Sequence, residues 1–426
     1  MSSALLPPPR LTTLASGLRV VSQELPWADS VALGVWASVG TRHEPAHLNG
    51  ISHLIEHMAF KGTKRRSAAR IAEEIEDVGG ILNAYTGRET TAFHARVLKE
   101  DLGLGLDILA DIVQHSVFDP QELAREQSVV VQEIWQSIDT PDDIVFDHFQ
   151  AAAYPAQAMG RPVLGSEATV RAMTRDDLVG YLATTYAPER LVIAAAGPLD
   201  HDDLLARVGA LFTDLPGRPG ASAPEPARYQ GGEHREGRDV EQVQLVLGFP
   251  GVAYDDPDYY ALSVLATLLG GGMSSRLFQE IREVRGLAYA VHAYPSSWTD
   301  GGLMTLYAGT SPEEAGQVLD LMISETARLP GTISGPELAR AKAQMKAGLL
   351  MGQEGPAGRC EQIARQVAIF GRPIPLAESV ERIEAVSAAD LDRLTRRLLA
   401  ATPTLAALGP LGTVPAHADL MARLAA

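Results

Sequence analysis

The feature of this sequence that most restricts its fold is a series of helix and strand signals that occurs twice. A helix predicted to begin at Asn49 returns at Asp256, a shift of 207 residues, and one predicted to begin at Ser67 returns at Ser274 with the same shift. The tetrapeptide ELAR also occurs twice, 215 residues apart, each time at the front of a predicted long helix. Three features in one order at nearly one offset predict a duplicated domain.

A segment without usable periodicity separates the two copies. Residues 214–232, DLPGRPGASAPEPARYQGG, are rich in proline, glycine and alanine, which is typical of a linker. We therefore predict a first domain over residues 1–213, a linker over 214–232 and a second, homologous domain over 233–426. Each copy mixes helices with antiparallel strands, so the predicted fold class is α+β, with a mainly antiparallel sheet packed against helices in each domain.

Charge and hydropathy exclude several classes of protein. The formal net charge of −17 argues against a nucleic-acid partner and suits a basic peptide, although solubility is the simpler explanation of the charge. No apolar run approaches the roughly 18 residues of a membrane span. The first residues lack the basic region and long apolar stretch of a secretory signal. The single cysteine, Cys360, excludes an internal disulfide framework and indicates a reducing compartment.

Three titratable residues interrupt the apolar segment GISHLIEHMAFKGT, residues 50–63. His53 and His57 are four residues apart on a predicted helix, so both imidazoles share a face and can reach one metal ion. Glu56 borders that face, where a carboxylate can hold and deprotonate a metal-bound water. The alternative is a surface helix with two solvated histidines, but apolar residues leave little polar face: Leu54, Ile55, Met58 and Phe60.

A catalytic zinc site needs a third protein ligand and keeps one position for water. The best source of that ligand is the predicted helix over residues 119–136, DPQELAREQSVVVQEIWQ. Glu126, Val129, Val130 and Glu133 follow one another at i, i+3, i+4 and i+7 and so share a face. Two carboxylates on a face that otherwise carries valines are costly to bury unless a cation compensates them, as a zinc ion would.

These motifs together resemble the inverzincins of the pitrilysin, or M16, peptidase family. The family carries HxxEH followed at a distance by a glutamate, here 76 positions after the second histidine. The segment NAYTGRE resembles the corresponding segment in members of the M16B subfamily, which contains the mitochondrial processing peptidase and its bacterial relatives. The resemblance covers essentially the whole chain and implies the M16/LuxS-like metallopeptidase fold. It implies one Zn²⁺ per chain bound by His53, His57 and Glu133, with Glu56 as general base and Glu126 as a supporting carboxylate.

The resemblance also implies how a peptide substrate binds to the first copy. NAYT matches an edge strand of the family, to which an extended substrate adds as a further strand through main-chain hydrogen bonds. Asn83 and Ala84 would then contact the substrate, although Asn83 by itself reads as an ordinary strand-end residue. Asp143 and Asp147 match acidic positions that bind a basic residue just before the cleavage site, where paired carboxylates suit a guanidinium. A solvated helix face is an equally good interpretation of these two aspartates.

In the second copy the resemblance assigns a role only to the segment REVRGLAY. It matches an arginine–tyrosine pair of the family, Arg282 and Tyr289. The tyrosine hydroxyl would donate to the oxyanion of the reacting carbonyl, and the arginine would steady the substrate or the tyrosine. The groups of the metal site are missing from this copy. The residues at the corresponding positions are Tyr260, Ser263, Val264, Ala341 and Gly348.

The implied function is that of a zinc metalloendopeptidase, EC 3.4.24, which cleaves peptides or unfolded, basic segments inside a chamber closed by a dimer. A homodimer is favoured because one chain carries both sets of residues, and a heterodimer with a non-catalytic homologue is the alternative. The alternative function is a non-catalytic structural or activating subunit, which the intact HxxEH motif argues against. The expected location is the cytoplasm of a bacterium, with the mitochondrial matrix as the alternative.

Overall fold

The computed structural model describes residues 7–216, 223–416, 418–420 and 422, so residues 217–222 of the predicted linker lie outside the described residues. Two compact units account for this part of the chain. The first draws on Met1–Ile134, Pro162–Glu225 and Leu350–Leu376, and the second on Trp135–Arg161, Pro226–Leu349 and Ala377–Ala426. Each unit combines helices with one mainly antiparallel sheet, which confirms the predicted α+β class.

The first unit is built on a six-stranded sheet in the order β1-β2-β6-β3-β5-β4. Neighbouring strands are antiparallel except for β2 and β6, which are parallel. The strands are β1 (Arg10–Thr13), β2 (Arg19–Glu24), β3 (Ser30–Ala37), β4 (Ile81–Thr86), β5 (Thr91–Leu98) and β6 (Leu191–Gly197).

The second unit repeats this arrangement in a five-stranded sheet of order β7-β11-β8-β10-β9. Its single parallel pair, β7 with β11, corresponds to β2 with β6, and the remaining pairs are antiparallel. The same strand order with the parallel pair in the same place confirms the predicted duplication. The strands are β7 (Gly232–Gly237), β8 (Val243–Pro250), β9 (Ala288–Ser297), β10 (Gly302–Thr310) and β11 (Thr404–Gly409).

Helices cover the sheets and supply most of the remaining core. Within the described residues they are α1 (Ile51–Ala59), α2 (Ala68–Glu76), α3 (Leu102–His115), α4 (Pro120–Asp139), α5 (Pro141–Ala153), α6 (Glu167–Ala172), α7 (Arg175–Thr185), α8 (His201–Leu211), α9 (Tyr259–Gly270), α10 (Ala315–Ala327), α11 (Gly335–Met351), α12 (Pro356–Phe370), α13 (Leu376–Ala385) and α14 (Ala388–Leu399), with a π-helix at Phe278–Glu283. None of these helices is both long enough and apolar enough to cross a membrane.

The central strand β3 is buried on both faces of the first sheet, which explains its almost continuous apolar run. Successive side chains of a strand point to opposite faces. Leu33 and Val35 accordingly pack in the cluster formed with α1 and α3. Ala32 and Trp36 face the other way and pack with Ile363 of α12.

Each unit receives one helix from the other half of the sequence. α5 precedes the predicted linker, yet it packs on β7, β8 and β11, where Val145 and Phe149 are buried. α12 follows the linker, yet it packs on β2, β3 and β6 of the first sheet. The predicted ranges 1–213 and 233–426 concern the two sequence copies, and as domain boundaries they stay a prediction.

Candidate metal centre

The helix that carries HxxEH is fixed at its first turn by a buried carboxylate. Asn49, the predicted cap, does not cap α1: the N-cap is Gly50, whose φ of 98° is accessible to glycine at little cost. Glu44 takes the capping role, because its carboxylate accepts hydrogen bonds from the backbone N–H groups of Gly50 and Ser52, both at 2.8 Å. Asn49 instead donates to Glu44 Oε2 at 2.9 Å. The carboxylate satisfies amides that the first helical turn leaves unpaired.

Three potential metal donors from α1 and α4 converge. Glu133 Oε2 lies 3.6 Å from His53 Nε2 and 3.5 Å from His57 Nε2, and the three donor atoms lie within 4.8 Å of one another. The two imidazole rings meet edge to face with their centroids 4.6 Å apart. The structure therefore brings together the three residues predicted as ligands.

The donor set fits zinc in type and in spacing. Two imidazole nitrogens and one carboxylate oxygen are among the ligand sets of catalytic zinc sites, and bonds of about 2.0–2.1 Å at tetrahedral angles place ligand atoms about 3.3 Å apart. The separations of 3.5 and 3.6 Å are close to this value and too long for strong hydrogen bonds. A cation between these atoms therefore needs little rearrangement.

Glu126 fixes the orientation of one imidazole. Its Oε2 lies 3.0 Å from His57 Nδ1, so the ring can donate its Nδ1 proton to the carboxylate and keep the lone pair of Nε2 for a metal. Lys61 Nζ lies 2.8 Å from the other oxygen, Oε1, and Glu126 itself is buried. Val129, predicted to share the inward face, is exposed, so the buried face of α4 is narrower than its pattern indicated.

His53 is held in the form that binds metals. Burial first, and then the neighbouring charge of His57, lower the pKa of His53 to about 4, so the imidazole is neutral near neutral pH. Its Nδ1 is buried and has no hydrogen-bond partner among the described residues. The two histidines are therefore held differently. Glu126 orients His57 through its Nδ1, whereas His53 has no hydrogen bond at Nδ1 in the described part of the chain and is positioned by packing.

Glu56 is poised beside the three donors. Its Oε2 accepts a hydrogen bond of 2.6 Å from the Thr86 hydroxyl, at the end of β4. Burial raises the pKa of Glu56; the Thr86 hydrogen bond and the charge of His57 oppose this rise, and the charge of Glu133 adds to it. A carboxylate with a raised pKa takes up a proton more readily, as a general base must.

The strand next to Glu56 has a free edge. Among the residues that the structure describes, β4 is the last strand of its sheet and pairs only with β5. The predicted substrate contacts Asn83 and Ala84 both lie on this strand, where Asn83 is exposed. Asn83 Oδ1 accepts a hydrogen bond from the N–H of Ala84 at 2.8 Å, so a peptide that pairs with this amide has to displace the Asn83 side chain.

The remaining predicted site residues belong to the second unit. Arg282 donates from Nη1 to the Tyr289 carbonyl at 2.7 Å, and its guanidinium lies 4.2 Å from the centre of the Tyr289 ring. The Tyr289 residue is 80% exposed. On α5, Asp143 is exposed and accepts a hydrogen bond from Ser137 at 2.6 Å, whereas Asp147 is half-buried. Arg282 and Tyr289 therefore contact each other, and their roles at the site stay a prediction.

Sequence reasoning missed three residues that support the centre: Glu44, Lys61 and Thr86. Lys61 lies four residues after His57 and could have been paired with Glu126 once that residue was placed on a facing helix. Thr86 and Glu44 lie 30 and 12 residues from Glu56 along the chain. No local pattern marks them, because their contacts depend on how β4 and the loop before α1 pack.

Comparison with known proteins identifies the architecture around this centre. Residues 19–167 match the sequence family described as insulinase (peptidase family M16), and residues 172–345 match the peptidase M16 inactive domain. The second match covers residues 233–345 of the copy that lacks the metal-binding residues. The fold is also that of a protease from Helicobacter pylori of known structure, with a TM-score of 0.88 at 22% identity over 95% of this chain and 100% of that one.

Relatives align along nearly the entire chain. A protein of Rickettsia felis named as an uncharacterized zinc protease is 39% identical over 94% of this chain and 97% of its own. One of the same description from Bacillus subtilis is 37% identical over 95% of this chain and 98% of its own. The probable mitochondrial-processing peptidase subunit beta of Arabidopsis thaliana is 36% identical over 96% of this chain and 80% of its own.

Replacing Glu126 tests how the centre is supported. Glu126→Ala removes the acceptor of the His57 Nδ1 proton, and the loss of such a partner weakens metal affinity about 10–100-fold. We expect this increase in the Kd for Zn²⁺, measured by competition with a chromogenic chelator. Glu122→Ala, on the same helix one turn earlier, should leave the Kd unchanged. Equal affinities of the two variants would show that Glu126 does not orient a zinc ligand.

Proposed function

The chain belongs to peptidase family M16, and from this premise we propose that it is a zinc endopeptidase with His53, His57 and Glu133 as its metal ligands. The observation that carries the proposal is the convergence of their three donor atoms within 4.8 Å, beside a half-buried Glu56. A zinc ion at this position supplies a Lewis acid that polarises a peptide carbonyl and lowers the pKa of water. The intact donor set disfavours the alternative of a non-catalytic structural or activating subunit.

We assign Glu56 as the general base. The Thr86 hydroxyl holds one carboxylate oxygen, Oε2, at 2.6 Å and so fixes the orientation of the group. The other oxygen, Oε1, would accept a proton from the attacking water and later return it to the amine of the leaving peptide. The raised pKa of Glu56, which burial causes, favours this uptake. With a cation bound beside it, Glu56 would stay ionised before the reaction, because a nearby positive charge favours the carboxylate.

The free edge of β4 is the surface that we assign to the substrate. A peptide in extended conformation can add as a seventh strand, with Asn83 and Ala84 as its nearest partners. The Ala84 amide is already occupied by the Asn83 side chain at 2.8 Å, so Asn83 would exchange this contact for one with the peptide. Main-chain pairing of this kind binds unfolded segments whatever their side chains are.

A preference for basic segments would come from α5. Asp143 and Asp147 are four residues apart and so lie on one face of this helix. Together they present two carboxylates with which a guanidinium can pair. The net charge of −17 adds a long-range attraction for basic peptides.

We further propose that two copies of the chain close around the substrate, with Arg282 and Tyr289 of each copy completing the site of the other. Support comes from the exposure of Tyr289, 80%, since its hydroxyl can donate to the oxyanion of a bound peptide. The Arabidopsis relative is named as a subunit. A homodimer is preferred to a heterodimer with a non-catalytic homologue because one chain carries both sets of residues.

The bacterial relatives favour the bacterial cytoplasm over the mitochondrial matrix as the location.

Removing the general base should separate metal binding from catalysis. Glu56→Gln should lower kcat for a basic fluorogenic peptide about 10²–10⁴-fold and keep the zinc that depends on His57. Activity of the unmodified chain should disappear with a chelator, and His57→Ala should lose both this zinc and the activity. Glu76→Gln, the same change at an exposed position of α2, is the control. Undiminished hydrolysis by Glu56→Gln would reject the assignment.

The acidic pair should control selectivity for basic residues. Asp143→Asn and Asp147→Asn should each lower kcat/KM about tenfold for a peptide with arginine before the cleaved bond, because each removes one charged acceptor. The same peptide with alanine at that position should be cleaved at an unchanged rate. Asp142→Asn alters the charge of the same helix turn and should change neither value. Equal selectivity in all three variants would place basic-residue recognition elsewhere.

Mixed dimers test whether the site is shared between copies. Arg282→Ala/Tyr289→Phe and Glu56→Gln should both have little activity alone. Random reassociation of equal amounts should restore about a quarter of the unmodified activity, because half of the dimers are mixed and each contains one complete site. Activity that remains at the mean of the two parents after subunit exchange would show that the residues do not act across a dimer.

A further inference from the structure

A second group of metal-binding side chains lies in the second unit, outside the centre described above. It consists of His148 on α5 and of His234 and Glu236 on β7. Their donor atoms lie within 4.8 Å of one another. Glu236 Oε2 is 2.9 Å from His148 Nε2 and 3.9 Å from His234 Nε2. Among the described residues, only this group and the candidate metal centre have this property.

The fold explains why these three side chains meet. His234 and Glu236 are two residues apart on a strand, so they point to the same face of the sheet. In the register of β7 with β11 they lie opposite Ala406 and Leu408, which are buried in the cluster formed with α5. This face is therefore the one that α5 covers, and α5 packs directly on β7.

The two imidazoles place buried nitrogen atoms beside one carboxylate. The Nε2 atoms of His148 and His234 are both buried and have no hydrogen-bond partner among the described residues. His148 Nε2 makes a close contact of 2.9 Å with Glu236 Oε2, whereas His234 Nε2, at 3.9 Å from the same oxygen, is too far away for a hydrogen bond. Buried polar atoms in folded proteins normally have a partner, so the unsatisfied Nε2 of His234, close to a second imidazole and a carboxylate, indicates a missing ligand.

The charge states suit a cation. Burial, followed by the charge of His234, lowers the pKa of His148, which favours the neutral imidazole. Burial of Glu236 is the largest single effect and acts to raise the pKa of its carboxyl, but the hydrogen bonds and charges of Arg238 and His148 together hold this pKa below its usual range. Arg238 contacts Oε1 of Glu236, which leaves Oε2 on the side of the histidines.

We propose that His148, His234 and Glu236 form a second divalent-cation site, suited to zinc, that ties α5 to the edge strand β7. Two imidazoles and a carboxylate are ligands that zinc takes, and they would leave one position for water. The separations of 2.9 and 3.9 Å in the structure lie on either side of the roughly 3.3 Å between ligands of a tetrahedral ion. The rings stack at 4.0 Å, so one ring must turn for both nitrogens to face the ion, and His234, whose side chain is 39% exposed, has room to do so.

This site does not depend on the proposed peptidase function and uses none of its residues. Its effect would be structural, because binding of an ion to the folded chain alone stabilises the fold. Its four-coordinate geometry also predicts a spectroscopic signature when Co²⁺ replaces zinc.

The experiment counts metal on the full chain after chelator treatment and reloading with Zn²⁺. The unmodified chain should bind two equivalents, His57→Ala one, His234→Gln one, and the combination of both substitutions none. Co²⁺ loaded onto His57→Ala should give the intense visible bands of a tetrahedral ion, and these should vanish when His234→Gln is added. His47→Gln, at an exposed histidine outside both groups, should retain both equivalents.

The outcomes separate the two sites. If His57→Ala and His57→Ala/His234→Gln bind the same amount of zinc and have the same Tm with and without it, the second site does not exist. If only the equivalent that depends on His57 is missing, the second site stands and the peptidase proposal fails. The equivalent retained by His234→Gln at the first site shows that this variant is folded, so loss of the other cannot be ascribed to unfolding.

Discussion

The approach of two imidazole nitrogens and a carboxylate oxygen to one point is the constraint on which the rest of the first unit depends. Packing sets this approach: α1 is held by its apolar face and by the Glu44 cap, and α4 carries Glu133 to it. Without a cation, the buried donors gain little from one another. Glu126 and Lys61 form a supporting chain behind His57, and Thr86 orients Glu56 beside it.

Much of this centre could be predicted from the sequence because its main elements are periodic. Spacing on a helix puts His53 and His57 on one face, and an acidic position on an otherwise apolar face marks Glu126. The support could not be predicted, because it comes from residues that share no element with the motif. Asn49 has the side chain of a typical N-cap residue, yet the buried Glu44 carboxylate accepts the hydrogen bonds of the first helical turn. This role of Glu44 depends on how the loop before α1 packs, which the sequence does not show.

The duplication, too, was predictable where it depends on local sequence patterns and unpredictable where it depends on tertiary packing. Repeated helix signals indicated two similar halves, and the strand orders of the two sheets confirm it. The exchange of α5 and α12 between the units was not predictable, since both are ordinary amphipathic helices that could cover either sheet. The group of His148, His234 and Glu236 could not be predicted from the sequence for the same reason, because it forms only when α5 packs on β7. In the second copy, loss of the metal-binding residues leaves a unit that keeps the fold and presents Arg282 and Tyr289.

X-ray anomalous scattering at the zinc absorption edge, on crystals of the unmodified chain grown with Zn²⁺, tests the central claim most directly. The account predicts a peak about 2.0–2.1 Å from the Nε2 atoms of His53 and His57 and from a carboxylate oxygen of Glu133. A peak held by other residues, or Glu133 turned away from an ion bound to the two histidines, would contradict it.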